Sequence, residues 1–157
     1  MSRDDIVGGA KQMFGTNALI RAGFQSCDDN FTEIYEAFKT LDLLIPAHAS
    51  KTIYNLFIAN GADWEVLGIK VVPDVAQGGT LTGTFVKAAS TTAPAAATTP
   101  LHSGTANFNG TAHTVQSLTL TETAADLLID DGQRIGLVLS AALSTGSARV
   151  SILLGRR

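Results

Sequence analysis

The feature that most constrains this chain is a change in the spacing of its apolar residues after Pro46. Beyond that proline, apolar and β-branched residues recur at a period of two, as in strands with one buried face. The segments with this pattern are residues 52–59, 64–72, 80–88, 105–108, 114–121, 133–141 and 148–153. They are rich in Val, Ile, Leu, Thr and Phe, the residues that strands favour. The sequence therefore predicts a mostly β module over residues 46–157.

Turn signals separate these predicted strands. They are the pairs Asn60-Gly61, Gly78-Gly79, Asn109-Gly110, Asp131-Gly132 and Thr145-Gly146. The two Asn-Gly pairs tolerate the positive φ of tight hairpins. Because no helical pattern lies between the strands, we expect an antiparallel β-sandwich or jelly roll. Residues 88–104 are mostly Ala, Thr and Pro and carry no charge, so we expect them to form a long exposed loop.

The segment before Pro46 has a helical pattern instead. Asn30 is a good N-cap, because its side-chain oxygen can accept from the free N–H groups of a first turn, and Glu33 can reach back to the cap. Apolar residues recur there at steps of three and four: Phe31, Ile34, Tyr35, Phe38 and Leu41. We expect a short amphipathic α-helix from residue 31 to about residue 44, ended by Pro46. Residues 1–45 would then form a helical tether or oligomerisation segment in front of the β module.

Composition narrows the class of protein. Of the 157 residues, 45% are hydrophobic and 16% are charged, and the formal net charge is −3. A small monomer rarely hides so many apolar residues, so we expect part of the surface to be buried against other subunits. No apolar run reaches the roughly 18 residues that cross a bilayer. The first residues are not the basic start of a secretory signal, and no basic patch indicates nucleic acid. We expect neither a membrane nor a nucleic-acid partner.

Residue types that carry catalysis or bind metals are sparse and scattered. His48, His102 and His113 lack metal-ligand spacing, and we expect each to lie on the surface. Asp130-Asp131-Gly132 lacks the acidic ladder of a calcium loop and is better explained as a turn. Cys27 has no second cysteine to pair with. The sequence therefore predicts a protein without enzymatic activity, metal or cofactor.

Two regions resemble segments of tailed-bacteriophage structural proteins. Residues 22–35, AGFQSCDDNFTEIY, resemble the DNFTELY segment near the N-termini of many such proteins, with Ile34 where Leu is usual. Residues 128–139, LIDDGQRIGLVL, and 149–154, RVSILL, resemble the last strands of small jelly-roll modules in phage head-decoration and fibre proteins. Those modules usually have Gly-Asp where this chain has Gly132-Gln133.

The resemblance implies a capsid decoration (cement) protein that forms homotrimers and stabilises the phage head. The front segment would tether the chain to sister subunits, the major capsid protein or other virion proteins. Such a protein is made in the host cytoplasm and located on the capsid surface of the virion. The interface residues that we expect are Phe24, Phe31, Ile34, Tyr35, Phe38 and Leu41.

A fibre or receptor-binding module is the alternative. It would place residues 88–104 or the Asn109-Gly110 turn at an exposed tip that contacts a host-surface glycan. Aromatic residues make up 6% of the chain and Trp64 is its one tryptophan, so few aromatic faces are available to stack on sugars. An enzyme such as a depolymerase has still less support, because no paired acidic cluster stands in a recognisable context.

Overall fold

The computed structural model describes residues 37–76 and 80–157. These residues form ten strands: β1 (Phe38–Pro46), β2 (Ile53–Ile58), β3 (Trp64–Pro73), β4 (Thr82–Ala88), β5 (Thr99–Pro100), β6 (Ala106–Asn107), β7 (Gln116–Ser117), β8 (Leu128–Ile129), β9 (Arg134–Leu139) and β10 (Ser147–Arg156). A 3-10 turn at Pro94–Ala96 and a short helix, α1 (Ala124–Leu127), connect strands. The prediction of a mostly β module is confirmed.

The strands pair in antiparallel fashion and form two sheets. In sheet I the order is β1-β10-β3-β7, and β8 also pairs with β3. In sheet II the order is β2-β9-β4-β5, and β6 also pairs with β4. Strands that follow one another in the chain therefore often lie in different sheets, as in a β-sandwich.

One hydrophobic core contains residues of both sheets. Every second residue of β10 from Ala148 to Leu154 is fully buried. In sheet II, β9 contributes Ile135 and Leu137, and β4 contributes Phe85. Burying a side chain the size of Val, Leu, Ile or Phe stabilises a fold by about 1.5–3 kcal/mol. The alternation of apolar residues that predicted the strands therefore matches the alternation of buried side chains along them.

Most of the predicted strands are confirmed with small changes at their ends. The segments at 52–59, 64–72, 80–88, 133–141 and 148–153 form β2, β3, β4, β9 and β10. The segments at 105–108 and 114–121 contain only the two-residue strands β6 and β7. Gly61 has the positive φ that the first Asn-Gly pair predicted, and Gly132 and Gly146, at two of the other predicted turns, have a positive φ as well. Near the second Asn-Gly pair, the positive φ falls at His113 instead.

The predicted helix is wrong from Phe38 onward, because these residues form β1. The strand pairs with β10 over its whole length, from Phe38 to Pro46, without a break in register. In a helix Phe38 and Leu41 would share a face, whereas on a strand an odd separation puts them on opposite faces. A complete ladder against β10 outweighs the local helical pattern. Residues 31–36 of the predicted helix lie outside the described residues, and the tether role of residues 1–45 stays a prediction.

Residues 88–104 are exposed at most positions, as their composition predicted, but a few buried residues anchor the segment to the sheets. Leu101 is fully buried, and Pro94 is buried against Gly136 of β9. A Cβ atom at Gly136 would overlap the Pro94 ring. Within the segment, β5 pairs with β4 and extends sheet II. The segment is therefore an exposed connection that is held at Pro94 and Leu101.

We expect Gly136→Ala to lower the free energy of unfolding by about 1–3 kcal/mol, because the added methyl group overlaps Pro94 and displaces its segment. Gly68→Ala is the matched control, since a Cβ atom there would lie 3.9 Å from the Leu153 Cβ, an ordinary contact. Urea denaturation of both variants and the original chain measures the difference. Equal midpoints for the two variants would contradict this packing.

Candidate interaction surface

β1 lies at one edge of sheet I and is unusually long for an edge strand. It has nine residues, and β10 covers one of its two sides. Within residues 37–76 and 80–157, no strand pairs with its other side. Among the described residues, the N–H and C=O groups on that side therefore form a row without strand partners, and such a row can pair with another strand.

The most exposed apolar side chains of β1 lie on its outer face, away from the core. Phe38 is 57% exposed and Leu44 is 59% exposed. Thr40 and Asp42 lie between them on the same face, because side chains on a strand alternate. The opposite face carries Ile45, which is buried in the core. β1 therefore presents apolar side chains on both faces, and one of these faces is open.

Two further exposed apolar residues lie on the outer face of sheet I, and polar residues such as Asp42 and Ser151 lie between them and Leu44. Leu67 of β3 and Leu153 of β10 are both exposed large hydrophobic residues. Gly68, opposite Leu153, has no side chain, so a shallow depression lies beside these leucines. The residues lining it are Thr40, Leu67, Gly68, Lys70, Ser151 and Leu153. We call Phe38, Leu44, Leu67 and Leu153 the outer patch. Exposed apolar residues grouped in this way are typical of protein contact sites.

Lys39 covers two aromatic rings beside the core. Its Nζ lies 5.3 Å from the centre of the Phe57 ring and 5.9 Å from the Trp64 ring. The two rings meet edge to face, with centres 6.0 Å apart. Cation–π contacts of this kind hold the ammonium group over the rings. Trp64 is half-buried, and the lysine ammonium group lies over its ring.

The acidic turn at Asp130-Asp131-Gly132 has the structural role that the sequence predicted. The Gly61 N–H donates to Asp131 Oδ1 at 2.8 Å, and the Asp131 N–H donates to Asp63 Oδ1 at 2.8 Å. These side chains thus satisfy backbone donors of two neighbouring turns. In the described part of the chain, no group of three or more His, Cys, Asp or Glu side chains is placed to hold a metal ion.

His102 is buried, which corrects the prediction that all three histidines lie on the surface; His48 and His113 are exposed. Only 4% of His102 is exposed. Its Nε2 accepts a hydrogen bond from the Phe85 N–H at 3.1 Å, so the proton of the neutral ring lies on Nδ1. Nδ1 is itself buried, with no partner in hydrogen-bonding geometry.

The surroundings of His102 favour its neutral form. Burial lowers the pKa of the imidazole below its ordinary value of 6.5, and a backbone contact at Ser103 offsets part of this effect. A proton added at Nε2 would replace the acceptor that the Phe85 N–H needs. The folded chain therefore resists protonation at a pH where the unfolded chain accepts a proton.

We expect acid to destabilise the protein through His102. Because the folded pKa lies below the unfolded value of 6.5, this contribution is complete above about pH 6.5 and is lost as pH falls toward the folded pKa. The loss approaches about 1.4 kcal/mol per pH unit. His102→Gln keeps an acceptor without titrating, so its urea midpoint should fall less between pH 7.5 and pH 5. His113→Asn, at an exposed site, should retain the original slope, and equal slopes in all three chains would contradict the assignment.

The structure describes only two of the six interface residues that the sequence predicts. Phe24, Phe31, Ile34 and Tyr35 lie outside the described residues. Phe38 belongs to the outer patch, whereas Leu41 is half-buried and packs against the core. The structure thus brings these last two to one strand but not to one face. Their role as interface residues stays a prediction.

Sequence reasoning missed three members of the outer patch: Leu44, Leu67 and Leu153. The sequence contains a weak signal for two of them. Leu44 lies between the apolar residues Leu43 and Ile45, and Leu153 is next to Leu154, so neither segment alternates strictly between apolar and polar residues. Two adjacent apolar residues on a strand cannot both face the same core. Which of the two is exposed depends on register, and the register comes from distant strands.

Comparisons with known proteins identify the fold of the described module. No protein-family model and no protein of curated function matches this sequence. A chain in the capsid of Ralstonia phage GP4 is 15% identical, with a TM-score of 0.52, and the match covers 76% of this chain and 83% of that chain. A chain of the Cyanophage Pam1 capsid is 14% identical, with a TM-score of 0.46, over 75% of this chain and 84% of that one. The first likeness shows a shared fold, that of a chain found in a phage capsid.

A weaker likeness is found to a chain of another virus. A chain of infectious bursal disease virus, Gx strain, is 16% identical with a TM-score of 0.36, and the match covers 75% of this chain and 30% of that one.

Within the part of the chain that the structure describes, no helix is long and apolar enough to cross a membrane.

Proposed function

We propose that this chain is a capsid decoration (cement) protein of a tailed phage, a non-enzymatic virion component that forms homotrimers and stabilises the head. The observation that carries the proposal is the fold shared with a chain in the Ralstonia phage GP4 capsid. The resemblance of residues 22–35 to a segment of phage structural proteins points to the same class independently.

The extent of the shared fold supports this role. The match includes most of both chains, 76% of this one and 83% of the phage chain. The two matched chains are therefore similar in size, and the likeness extends over most of each.

The surface of the β module fits a protein partner. The outer patch combines four exposed apolar side chains on one face of sheet I. Each square ångström of apolar surface removed from water contributes roughly 25 cal/mol, so a subunit that covers this patch binds favourably. The net charge of −3 and the scattered basic residues offer no footprint for nucleic acid.

In this proposal the tether is the part of residues 1–45 that precedes β1, since residues 38–45 belong to the β module. Phe24, Phe31, Ile34 and Tyr35 would contact sister subunits, the major capsid protein or other virion proteins. The chain would be made in the host cytoplasm and then bind to the capsid surface. Aromatic residues spaced in this way supply large apolar contacts at protein interfaces.

A fibre or receptor-binding role is less well supported. It needs an exposed tip, and residues 88–104 were the expected place for one. In this segment Pro94 and Leu101 are buried, and part of it pairs with β4. Trp64 is half-buried beneath Lys39. We therefore prefer the cement role.

Phage particles assembled without this chain test the proposed function. We expect them to form and to package DNA, but to lose infectivity faster on heating or osmotic shock than complete particles. Purified chain added back should restore the resistance, because cement proteins act from outside the finished shell. Gly136→Ala, which weakens the fold, is expected to restore less. Normal resistance of particles that lack the chain would contradict the cement role.

The double variant Phe31→Ala/Tyr35→Ala tests the tether. We expect the three-fold association of the chains and their binding to particles to be lost, because two large apolar contacts are removed. The thermal unfolding of the β module should be unchanged. Phe14→Ala, another phenylalanine of the front segment, serves as the control and should remain trimeric. Loss of β-sheet signal in the double variant would instead place these residues in the fold of a single chain.

A further inference from the structure

We propose that β1 pairs with β1 of a second copy of this chain, antiparallel and about a two-fold axis, so that sheet I continues from one chain into the other. The ligand for this edge is an extended strand, because the open groups are backbone N–H and C=O at strand spacing. The second copy supplies a strand whose side chains complement those of β1 in one register.

β1 has few of the devices by which edge strands avoid pairing, and Asp42 is the one charged residue on its outer face. Natural edges are short, bulged, or carry outward charges and prolines along their length. β1 has nine residues, and its pairing with β10 has no bulge. Its one lysine, Lys39, is held over Phe57 and Trp64. Pro46 stands only at its last position.

The edge of sheet II provides an internal comparison. β2 is the corresponding edge strand, but it has six residues, and its pairing with β9 shifts register between Asn55 and Phe57. A bulge of this kind twists a strand and interrupts the row of open groups. The structure therefore leaves β1, and not β2, suited to continuous pairing.

Side-chain alternation restricts the register. Outer-face residues must meet outer-face residues, so Phe38, Thr40, Asp42 and Leu44 face one another across the contact. When Leu41 stands opposite itself, Phe38 faces Leu44 of the second copy and Thr40 faces Asp42. The two most exposed apolar side chains of β1 are then covered twice, once on each side of the axis.

The two neighbouring registers bring together less favourable pairs of side chains. Moving the axis one residue toward Pro46 places Asp42 opposite Asp42, and like charges directly opposite are destabilising. Moving it one residue the other way places Phe38 opposite Asp42 and leaves Leu44 without a described partner. The proposed register therefore combines apolar contact with the separation of the two carboxylates.

A two-fold contact differs from the proposed trimer. An isologous pair closes on itself, so β1 pairing cannot close a three-fold ring. It would instead join one trimer to the next wherever a two-fold axis lies between them. The pairing does not rest on the cement role, because it can be measured on the purified chain alone.

Paired cysteines test the contact. Thr40→Cys and Asp42→Cys are made separately in full-length chains that also carry Cys27→Ser, and the two proteins are mixed under mild oxidation. Residues 40 and 42 face each other in the proposed register, at a separation that a disulfide can span. In either variant alone, identical cysteines lie two residues out of register, beyond about 7 Å. We expect the disulfide-linked dimer to be at least tenfold more abundant in the mixture.

A matched pair of charge substitutions tests the surface. Leu44→Glu and Ile58→Glu each place a carboxylate at a similarly exposed edge position, 59% and 58%, opposite Arg149 and Arg134 respectively. Both should fold normally. In the cysteine background, Leu44→Glu should reduce the cross-link at least tenfold, because its carboxylate faces Phe38. Ile58→Glu should leave the yield unchanged.

Several results would overturn the pairing. Equal cross-linking in the mixture and in either single variant would show random collision. Thiols that react freely with Ellman's reagent but do not cross-link would show an edge open to solvent. Thiols that neither react nor cross-link would show an edge covered within one chain. Cross-links to a different virion protein on particles, with none between copies, would assign the edge to that protein. Particle heat resistance is independent of each of these results.

Discussion

Sheet I depends on β10, because this strand is hydrogen-bonded to β1 on one side and to β3 on the other. The same strand supplies four fully buried residues, at alternate positions from Ala148 to Leu154, to the core shared with sheet II. Backbone pairing and apolar burial are thus concentrated in one segment. The correct registers of β1 and β3 follow from it, and so does the choice of which leucines face the core and which form the outer patch.

The outer patch and the open edge account for part of the exposed apolar surface of the described residues; Ile53, Ile58, Val75 and Val115 are exposed as well. The core takes up alternate residues of the long strands, yet Phe38, Leu44, Leu67 and Leu153 remain outside it. These residues stand on one face, beside the strand whose backbone is open. Apolar contact and backbone pairing therefore point to the same side of the molecule. An assembly role explains both with one partner surface, whereas a monomer would leave both in water.

The long strands could be predicted from sequence because their alternation is local, and β3, β9 and β10 carry it clearly. β1 could not be predicted in this way. Phe38 and Leu41 fit a helical spacing, whereas Leu41, Leu43 and Ile45 fit a strand. Pairing with the distant β10 decides between the two patterns. The burial of His102 depends on the Phe85 N–H, which nothing near residue 102 reveals. The outer patch was missed for a related reason: its leucines stand beside buried neighbours, and exposure is assigned by register.

The order of the strands in the chain has a consequence for synthesis. β1 and β3 are made early, but the strand that lies between them, β10, comes after every other strand of the module. Until β10 is made, β1 and β3 both lack the strand that lies between them. Contacts between segments so far apart in sequence form slowly. A growing chain therefore cannot present a finished sheet I, nor the flat edge on which the proposed assembly relies. In the proposed assembly, a chain could therefore join other subunits only after β10 has been made, and a chain that ends before β10 could not join them.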